Sequence, residues 1–500
     1  MNQGVQSVIV VGRDAPAWLA AAALRRSFGR NGLHVQVVEL PPQRAPVDAY
    51  AAVPSLASMH QLLGLEERIV LGACRGTPMV AQRFSNWARG GSPYFIAYDD
   101  EPPPGGDLPF VQYWTKGALE GLRVAFDEFS LGSACARLGR IPLATGPEER
   151  LSASFGYHLD ALAYSELVKQ FALRLGVESA SAGLKHVDAA GDRVNGLDLA
   201  DGTRLTADLY IDASGAEARL IGRLEGGELD SWADWLPCDR LLAASAPALR
   251  SVPAFSQISA FRAGWVGVFP LQHRTAVVAC YSSRAAADQE VAEQAGVIAR
   301  MPIAGDAVVG QLRPGARRRP WIGNCVAIGE AAIACDPIDA LELHVAQGCI
   351  SHLITLFPAT AAEFVEADEY NRAIRLFGSN LRDFQAAHYK LNGRFDDSFW
   401  DAARNATAPD SLQRRLDAFQ ARALVVLNDE ESFQESGWAS LLLGCGTMPG
   451  GYDPRIDAVP DEQHIQKVQQ RLREVASRAQ QMPRIDELLL DQSASVELSG

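Results

Sequence analysis

The sequence has few basic residues for its length and no long apolar segment. Its 500 residues include 46 Lys and Arg against 60 Asp and Glu, which gives a formal net charge of −14. Binding to nucleic acid requires a wide basic face, so we expect no nucleic acid among the partners. No apolar run reaches the about 18 residues of a membrane-spanning helix, and the N-terminus enters a strand-like run directly. We therefore expect a cytoplasmic protein without membrane contact.

Paired cysteines are missing as well. The eight cysteines are scattered singly and form no CxxC pair, which indicates a reduced protein rather than a disulfide framework. Hydrophobic residues make up 48% of the chain and charged residues 21%, an ordinary globular balance. The one dense basic cluster, residues 313–319, is predicted to be a solvated turn before a strand.

A dinucleotide-binding turn near the N-terminus lacks two of its three glycines. The β-branched run at residues 8–11 meets Gly12, and an Ala-rich helical pattern follows, which is the order that cradles a pyrophosphate. Ala17 adds only a methyl group at the third glycine position. Asp14 places a carboxylate where backbone must approach the phosphates, and Pro16 removes one amide donor. We therefore expect nucleotide binding to be weakened or lost.

Other residues still favour a nucleotide-binding site. Arg13 would offset part of the added charge if its side chain folds over the phosphates. Glu39 ends the second predicted strand, where a carboxylate can accept hydrogen bonds from ribose hydroxyls. The order of strand, turn, helix and acid favours this role over that of a surface carboxylate. A later buried strand delivers Asp212 and Gly215 to a second tight turn, where backbone could approach a nucleotide.

Long strings along nearly the whole chain resemble the flavin-dependent tryptophan halogenases. They include GYHLDALAYSELV, ADGTRLTADLYIDASG, GNCVAIG, DPIDALELHVAQ and HYKLNGR. The resemblance implies an α/β protein: a Rossmann-type FAD-binding fold with an inserted β-sheet region and a mostly helical C-terminal part. We predict an FAD-binding-type body at residues 1–360 with inserted substrate-side strands at about 85–150 and 230–300. A helical part at 361–480 and a flexible tail at 481–500 follow.

The resemblance also implies a reaction and its partners. In these enzymes reduced flavin reacts with oxygen, a halide attacks the resulting hydroperoxide, and hypohalous acid travels through a short tunnel to an aromatic substrate. A lysine and a glutamate orient the oxidant at the end of the tunnel. If the chain is active, the resemblance therefore implies FAD, a flavin reductase, a small aromatic substrate and a homodimer.

The two catalytic positions of the family are altered. In GTPMVAQRFSNW, residues 76–87, the place of the lysine is taken by Met79, whose thioether has no proton or charge with which to polarise hypohalous acid. The glutamate is replaced by Asp339, which is one methylene shorter, and alignment within about 0.5 Å would not usually survive that change. Asp339 could still act as a base, or it could be a carboxylate at a helix N-terminus.

The halide-binding and flavin-facing positions are altered too. The residues that present backbone N–H groups to chloride correspond to Leu341 and Glu342. An ionised Glu342 beside a desolvated halide would cost on the order of 4 kcal/mol, so we expect the halide site to be lost. Gly267 replaces a tryptophan that blocks direct oxygenation, which would open a monooxygenase route. Gly329 and Glu330 correspond to residues that hold the ribityl chain, although Glu330 could be a helix N-terminal carboxylate.

Three hypotheses follow. The leading one is an FAD-dependent oxidoreductase or monooxygenase on the halogenase scaffold that cannot halogenate tryptophan, with FAD bound weakly or lost. The second is an inactive homologue that acts as a binding or partner protein, supported by the joint changes at Met79, Glu342, Asp14 and Tyr50, the last of which lies where the resemblance implies a flavin-facing GEAT string. The third is an active halogenase with a relocated lysine, for which Lys116 is the candidate. The case for a lost reaction assumes that Met79, Asp339 and Glu342 converge on one cavity.

Overall fold

The chain divides into two compact units, each assembled from three segments. The computed structural model describes residues 4–88, 90–99, 108–142, 155–305 and 307–489. The first unit consists of Met1–Gly76, Leu159–Ala233 and Gln311–Ser379, and the second of Thr77–His158, Asp234–Gly310 and Asn380–Gly500.

The two predicted insertions, at about 85–150 and 230–300, fall almost entirely within the segments of the second unit. Residues 89, 100–107 and 143–150 of the first insertion lie outside the described residues. The C-terminal part predicted from residue 361 opens with the helix Glu366–Lys390, which runs past the limit of the first unit at Ser379.

A six-stranded sheet forms the centre of the first unit. The strand Ser7–Gly12 pairs in parallel with His34–Glu39 on one side and with Leu209–Ala213 on the other. Residues 8–11 are almost completely buried, which explains their continuous β-branched run, because central parallel strands are covered on both faces. The strands lie in the order Trp321–Ile322, Cys325–Ala327, Leu209–Ala213, Ser7–Gly12, His34–Glu39 and Glu178–Ser179.

Shorter elements complete the first unit. Its further strands are Ala49–Ala52, Leu184–Ala190, Arg193–Leu199, Arg204–Leu205, Leu229–Ser231, Gly315–Arg317 and Ile333–Ala334. Its helices are Asp14–Phe28, Leu56–Leu63, Glu67–Ala73, Ala161–Arg174 and Glu342–Thr355, followed by the start of Glu366–Lys390. The predicted hairpin at the Asp-Gly turn of residues 201–205 is present as the antiparallel pair Arg193–Leu199 and Arg204–Leu205.

The first helix packs against the sheet at Gly12. A Cβ atom on Gly12 would lie 2.6 Å from the carbonyl oxygen of Ala213 and 2.8 Å from the Cβ of Ala17. Real Cβ atoms do not approach neighbours so closely, so only glycine fits here. The methyl group of Ala17 is accommodated because Gly12 has no side chain, and the effect of Ala17 on nucleotide binding stays a prediction.

The basic cluster at residues 313–319 is not a solvated turn throughout, and this part of the sequence prediction is wrong. Residues Gly315–Arg317 form a strand, and Arg317 is buried. Its guanidinium donates to the carbonyl oxygens of Ala331, at 2.8 Å, and of Gly227. The charge is therefore buried because backbone acceptors satisfy it, an arrangement that sequence pattern does not reveal.

The second unit contains a seven-stranded sheet and most of the C-terminal helices. The sheet runs in the order Val308–Gln311, Arg240–Pro247, Arg274–Tyr281, Gly264–Pro270, Phe255–Phe261, Ala81–Ser85 and Tyr94–Ala97. The strand Thr77–Met79 pairs with the strand that begins at Gly156. The helices are Phe110–Leu119, Leu131–Leu138, Asp288–Ala299, Ser398–Asn405, Asp410–Arg422, Glu435–Gly444 and Asp461–Gln481.

Packing of the C-terminal segment extends beyond residue 481, where the sequence predicts that a flexible tail begins. Of the predicted tail at 481–500, residues 490–500 lie outside the described residues. Ile485 is buried in a hydrophobic cluster of the second unit with Leu131 and Ala479. Within the described ranges, no helix combines the length and apolar character that crossing a bilayer requires.

Substitution of Gly12 tests the close approach of helix and sheet. We expect Gly12→Ala to lower the free energy of unfolding by roughly 1–3 kcal/mol, because the new methyl group would displace Ala213 and Ala17. Gly183→Ala is the matched control, since a Cβ atom there meets nothing within 4 Å. Urea denaturation of both variants measures the difference. Equal stability of the two variants would show that the turn relaxes freely.

Candidate functional site

At the predicted dinucleotide-binding turn, Asp14 has a backbone conformation that is typical of glycine. Asp14 begins the first helix with φ of 53°, in the left-handed region that favours glycine. Its carboxylate accepts a hydrogen bond from the backbone N–H of Gln43 at 3.1 Å. Burial raises the pKa of Asp14, and this effect is opposed by that hydrogen bond and by the nearby Arg44 and Arg13.

A cavity opens beyond the carboxyl ends of the central strands in the first unit. Its volume open to a water-sized molecule is about 20 Å³, which is room for about one water. Such a position is where ligands bind in open α/β sheets. The lining residues are Arg13, Asp14, Pro16, Gln43, Arg44, Tyr50, Ala213, Gly215, Ile328, Gly329, Glu330 and Glu342.

An ion pair lies in the lining of this cavity. The guanidinium of Arg44 donates to the carboxylate of Glu342, and it lies over the Tyr50 ring with its carbon 5.0 Å from the ring centroid. Burial raises the pKa of Glu342 to about 7; Arg44 opposes this shift and Glu330 adds to it. The neighbouring carboxylates in turn raise the pKa of Arg44 against the effect of burial.

The sequence analysis did not find Arg44, although Tyr50 and Glu342 were both singled out. Arg44 lies in a proline-containing loop, and its partner Glu342 is 298 residues away in the chain. No local pattern connects the two residues. We predicted that an ionised Glu342 would disfavour a halide. That prediction did not consider a cation of the chain itself, Arg44, that pairs with Glu342.

Arg13 lies at the cavity with its guanidinium already paired. Its side chain is 9% exposed and donates to Glu217 at 3.1 Å. Glu217 also accepts from Arg219 at 2.7 Å. We predicted that Arg13 would offset the negative charge of Asp14. Because Arg13 pairs with Glu217, in the turn after the strand Leu209–Ala213, its positive charge is shared between these two carboxylates.

The carboxylates of Glu39 and Asp212 are engaged by the chain itself. Glu39 accepts from the indole N–H of Trp18 at 3.2 Å and from the ammonium of Lys169 at 2.6 Å. Asp212 is fully buried, and its oxygens accept from the N–H and hydroxyl of Ser214 and from the N–H groups of Leu220 and Ile221, at 2.5–3.1 Å. Asp212 thus holds the turn rather than facing the cavity, and the ribose contact of Glu39 stays a prediction.

Two glycines shape the opposite wall of the cavity. Gly215 and Gly329 have φ of 76° and 58°, so each takes a conformation that side chains rarely adopt. A Cβ atom on Gly215 would lie 3.1 Å from Oε1 of Gln43 and 3.6 Å from Oε2 of Glu330. Oxygens of Gln43 and Glu330 therefore lie beside Gly215, and Glu330 is part of the lining, while its contact with a cofactor stays a prediction.

The segment in which the resemblance places the glutamate and the halide site of the family forms a short helical turn. Asp336 caps the 3₁₀ turn Pro337–Asp339 by accepting from the N–H of Ile338 at 3.0 Å. Asp339 is fully buried, Leu341 is the N-cap of the next helix, and Glu342 is its first residue. These positions match the predicted helix start, and the side chain of Glu342 lies at the cavity.

Met79 lies in the second unit, buried among uncharged groups. The hydroxyl of Ser256 lies 3.1 Å from its sulfur, and the Tyr98 hydroxyl lies 3.9 Å away. His158 contacts Ser256 through Nε2 at 2.8 Å and Thr77 through Nδ1 at 3.0 Å. Burial lowers the pKa of His158 to about 3, so the ring is neutral. The convergence of Met79 with Asp339 and Glu342 stays a prediction.

The position of Gly267 is not open, which corrects the predicted monooxygenase space. A Cβ atom on Gly267 would lie 2.7 Å from Cζ of Phe269 and 3.1 Å from Cζ3 of Trp265. The two rings occupy the volume next to the glycine because residues two apart on a strand share a face. The rings of Phe269 and Trp265 therefore occupy the space beside Gly267.

Lys116 is not available as a relocated catalytic lysine. Its ammonium is buried and contacts Asp461 at 2.8 Å and Asp457 at 3.1 Å. Hydrogen bonding to Asp461 is the main cause of a pKa raised above the ordinary lysine value. The ammonium is therefore held in a structural ion pair.

A Rossmann-type sheet with a cavity at the carboxyl ends of its strands defines a nucleotide-binding class of fold. The sequence model of the family described as tryptophan halogenase matches residues 7–461. The chain therefore belongs to the tryptophan halogenase family, as the sequence resemblance predicted.

Similar proteins cover nearly the whole chain. The tryptophan 7-halogenase RebH of Lentzea aerocolonigenes is 25% identical over 92% of this chain and 93% of its own length. Xcc4156, a flavin-dependent halogenase from Xanthomonas campestris, has 29% identity and a TM-score of 0.92 over 98% of this chain and 99% of its own. BrvH, a flavin-dependent halogenase from Brevundimonas sp. BAL3, has 27% identity and a TM-score of 0.89 over the same shares. The predicted α/β, Rossmann-type fold is confirmed.

The pH dependence of stability tests the environment of Glu342. Its folded pKa of about 7 lies above the ordinary value of 4.5, so the folded state keeps a proton that the unfolded state loses. Stability should therefore fall as pH rises between these values, by at most roughly 3 kcal/mol. Glu342→Gln should remove this slope, while Glu225→Gln, at an exposed carboxylate of the same unit, should keep it. Urea denaturation from pH 4.5 to 8 measures the slopes; identical slopes for wild type and Glu342→Gln would refute the shift.

Substitution of Met79 by lysine tests whether the uncharged surroundings of this position tolerate a charge. We expect Met79→Lys to cost at least about 3 kcal/mol of stability, because it buries an uncompensated charge. Met79→Leu, which nearly conserves volume, should cost less than about 1.5 kcal/mol. Thermal and urea unfolding compare the two variants. If the lysine variant is as stable as the leucine variant, the site can hold an amine.

Proposed function

We propose that this chain is a tryptophan halogenase-family protein that does not halogenate tryptophan. The observation that carries the proposal is the surroundings of Met79. Its described hydrogen-bonding neighbours, Ser256 and Tyr98, carry no charge, and His158 beside Ser256 is neutral, so none of the three supplies an amine or a cation that could orient or activate an oxidant. Lys116, the alternative amine, is bound by two aspartates.

The charges at the cavity support weakened or lost binding of FAD. Its diphosphate would meet Asp14, and Arg44 is paired with Glu342 rather than directed to a ligand. The helix N-terminus also lacks the N–H of Pro16, one of the donors that usually contact phosphate. The residues present therefore do not fit the diphosphate of the cofactor that the family name implies, and we derive no reaction step through it.

Between the two remaining hypotheses, the binding or partner protein has more support than the FAD-dependent monooxygenase. A monooxygenase would gain from open space beside Gly267, and Phe269 and Trp265 occupy that space. A flavin reductase and an aromatic substrate would be its partners by analogy with the family. The homodimer and the cytoplasmic location stay predictions.

A halogenation assay tests the proposal. Purified protein is supplied with FAD, a flavin reductase, oxygen, tryptophan and either chloride or bromide, and the products are analysed by mass spectrometry. We expect no halotryptophan above a control without protein, because no amine lies at position 79. The tryptophan 7-halogenase RebH, assayed in parallel, verifies the reagents. Halotryptophan formed by this chain would overturn the proposal, and hydroxytryptophan alone would support the monooxygenase hypothesis.

A further inference from the structure

A surface groove lies beside the end of the helix Asp288–Ala299 in the second unit. It is open to solvent and has a volume of about 540 Å³. The helix and the chain segment that follows it form its walls. Its apolar lining residues are Ala292, Gly296, Val297, Met301, Pro302 and Ile303. An apolar surface of this kind, bordered by charged residues, is typical of a site that another molecule covers.

Val297 projects from this surface next to the groove. It is 78% exposed, more than any other large apolar side chain among the described residues. A Cβ atom on the neighbouring Gly296 would lie 3.2 Å from the carbonyl oxygen of Met301, so a residue without a side chain helps to shape the groove. An apolar projection and an apolar recess therefore lie side by side on one surface. Two copies of such a surface can fill each other's recess.

Two opposite charges flank Val297 on the same face of the helix. Glu293 lies four residues before Val297, and Arg300, the residue that ends the helix, lies three residues after it. Positions at these spacings share one helix face. Both side chains are exposed, and Glu293 accepts a hydrogen bond only from the neutral Gln289, at 3.3 Å. Within the described part of the chain neither charge has an ionic partner, so both can pair with another molecule.

We propose that this helix face pairs with the same face of a second copy of the chain, with the two helices antiparallel about a two-fold axis. Such an arrangement places Glu293 of each copy opposite Arg300 of the other. Val297 then lies opposite Gly296, because both pairs of positions are centred on the same point of the helix. Each Val297 enters the groove of the other copy, and every contact occurs twice. The inference goes beyond the proposed function and does not depend on it.

Charge complementarity favours a second copy over a different partner. A face with one anion and one cation at equal distances from its centre is complementary to itself when it is reversed, which is what a two-fold axis does. An acidic or a basic peptide would instead meet one charge of its own sign. Charge pairs at the rim of an interface fix the orientation of the partners, whereas apolar groups buried at the centre provide most of the affinity.

The oligomeric state of the full chain tests the proposal. Sedimentation equilibrium of the wild-type protein should show a reversible dimer with a Kd below about 100 µM. Val297→Asp would bury a carboxylate of each copy at the centre of the interface, so it should weaken the dimer at least about hundredfold. Val365→Asp is the matched control, because Val365 is 70% exposed and belongs to the first unit. This control should leave the Kd unchanged.

Charge reversal tests the antiparallel arrangement of the two copies. Glu293→Arg and Arg300→Asp each bring like charges together across the axis, so each variant alone should dimerise at least about tenfold more weakly. Aspartate is used at position 300 because φ there is 56°, in the left-handed region that aspartate tolerates. Mixing the two variants should restore the dimer, because every charge contact in the mixed pair joins opposite signs. A folding defect would not be repaired by mixing, and circular dichroism checks each variant.

Three results would overturn this interface. The first is a wild-type protein that stays monomeric well above the expected Kd, which would exclude a second copy as the occupant of the groove. The second is a dimer that Val297→Asp leaves intact, since the two copies would then meet through another surface. The third is a mixture of the two charge variants that associates no better than either variant alone. Formation of halotryptophan would overturn the proposed function and would leave this interface unaffected.

Discussion

The close approach of Gly12 to Ala213 and Ala17 is the constraint on which the first unit depends. It brings the first strand, the adjacent strand and the first helix together at one point, with no room for a Cβ atom on Gly12. Because these two strands are parallel, the turns that follow them open at the same edge of the sheet. Asp14 and Gly215 face one cavity for this reason, and the chemistry of that cavity follows from the residues placed there.

Charge at this cavity is arranged as internal pairs rather than as a receptor for phosphate. A buried ion pair is weak evidence for stability, because desolvation offsets most of the Coulomb attraction. The pair of Arg44 and Glu342 has another effect, since it places a carboxylate at the start of the helix where the family resemblance implies a halide. The dipole of that helix then already faces an anion supplied by the chain.

The parts of the structure that were predictable are those with local causes. Residues 8–11 and 33–40 show apolar patterns that require only neighbouring residues, and the strands and the first helix follow from them. The pairing of Arg44 with Glu342, or of Glu39 with Lys169, joins residues far apart in sequence and could not be read from either segment. The filling of the space at Gly267 had a local signal, because Phe269 lies two residues along the same strand.

The two centres that the family resemblance marks as altered differ in charge. At Met79, where the resemblance implies a lysine, hydroxyl and imidazole groups surround an uncharged thioether. At the cavity, where the resemblance implies a halide, the carboxylate of Glu342 pairs with Arg44. A phosphate that recruited Arg44 would leave Glu342 buried without its cation, which is the costly event for a buried ion pair.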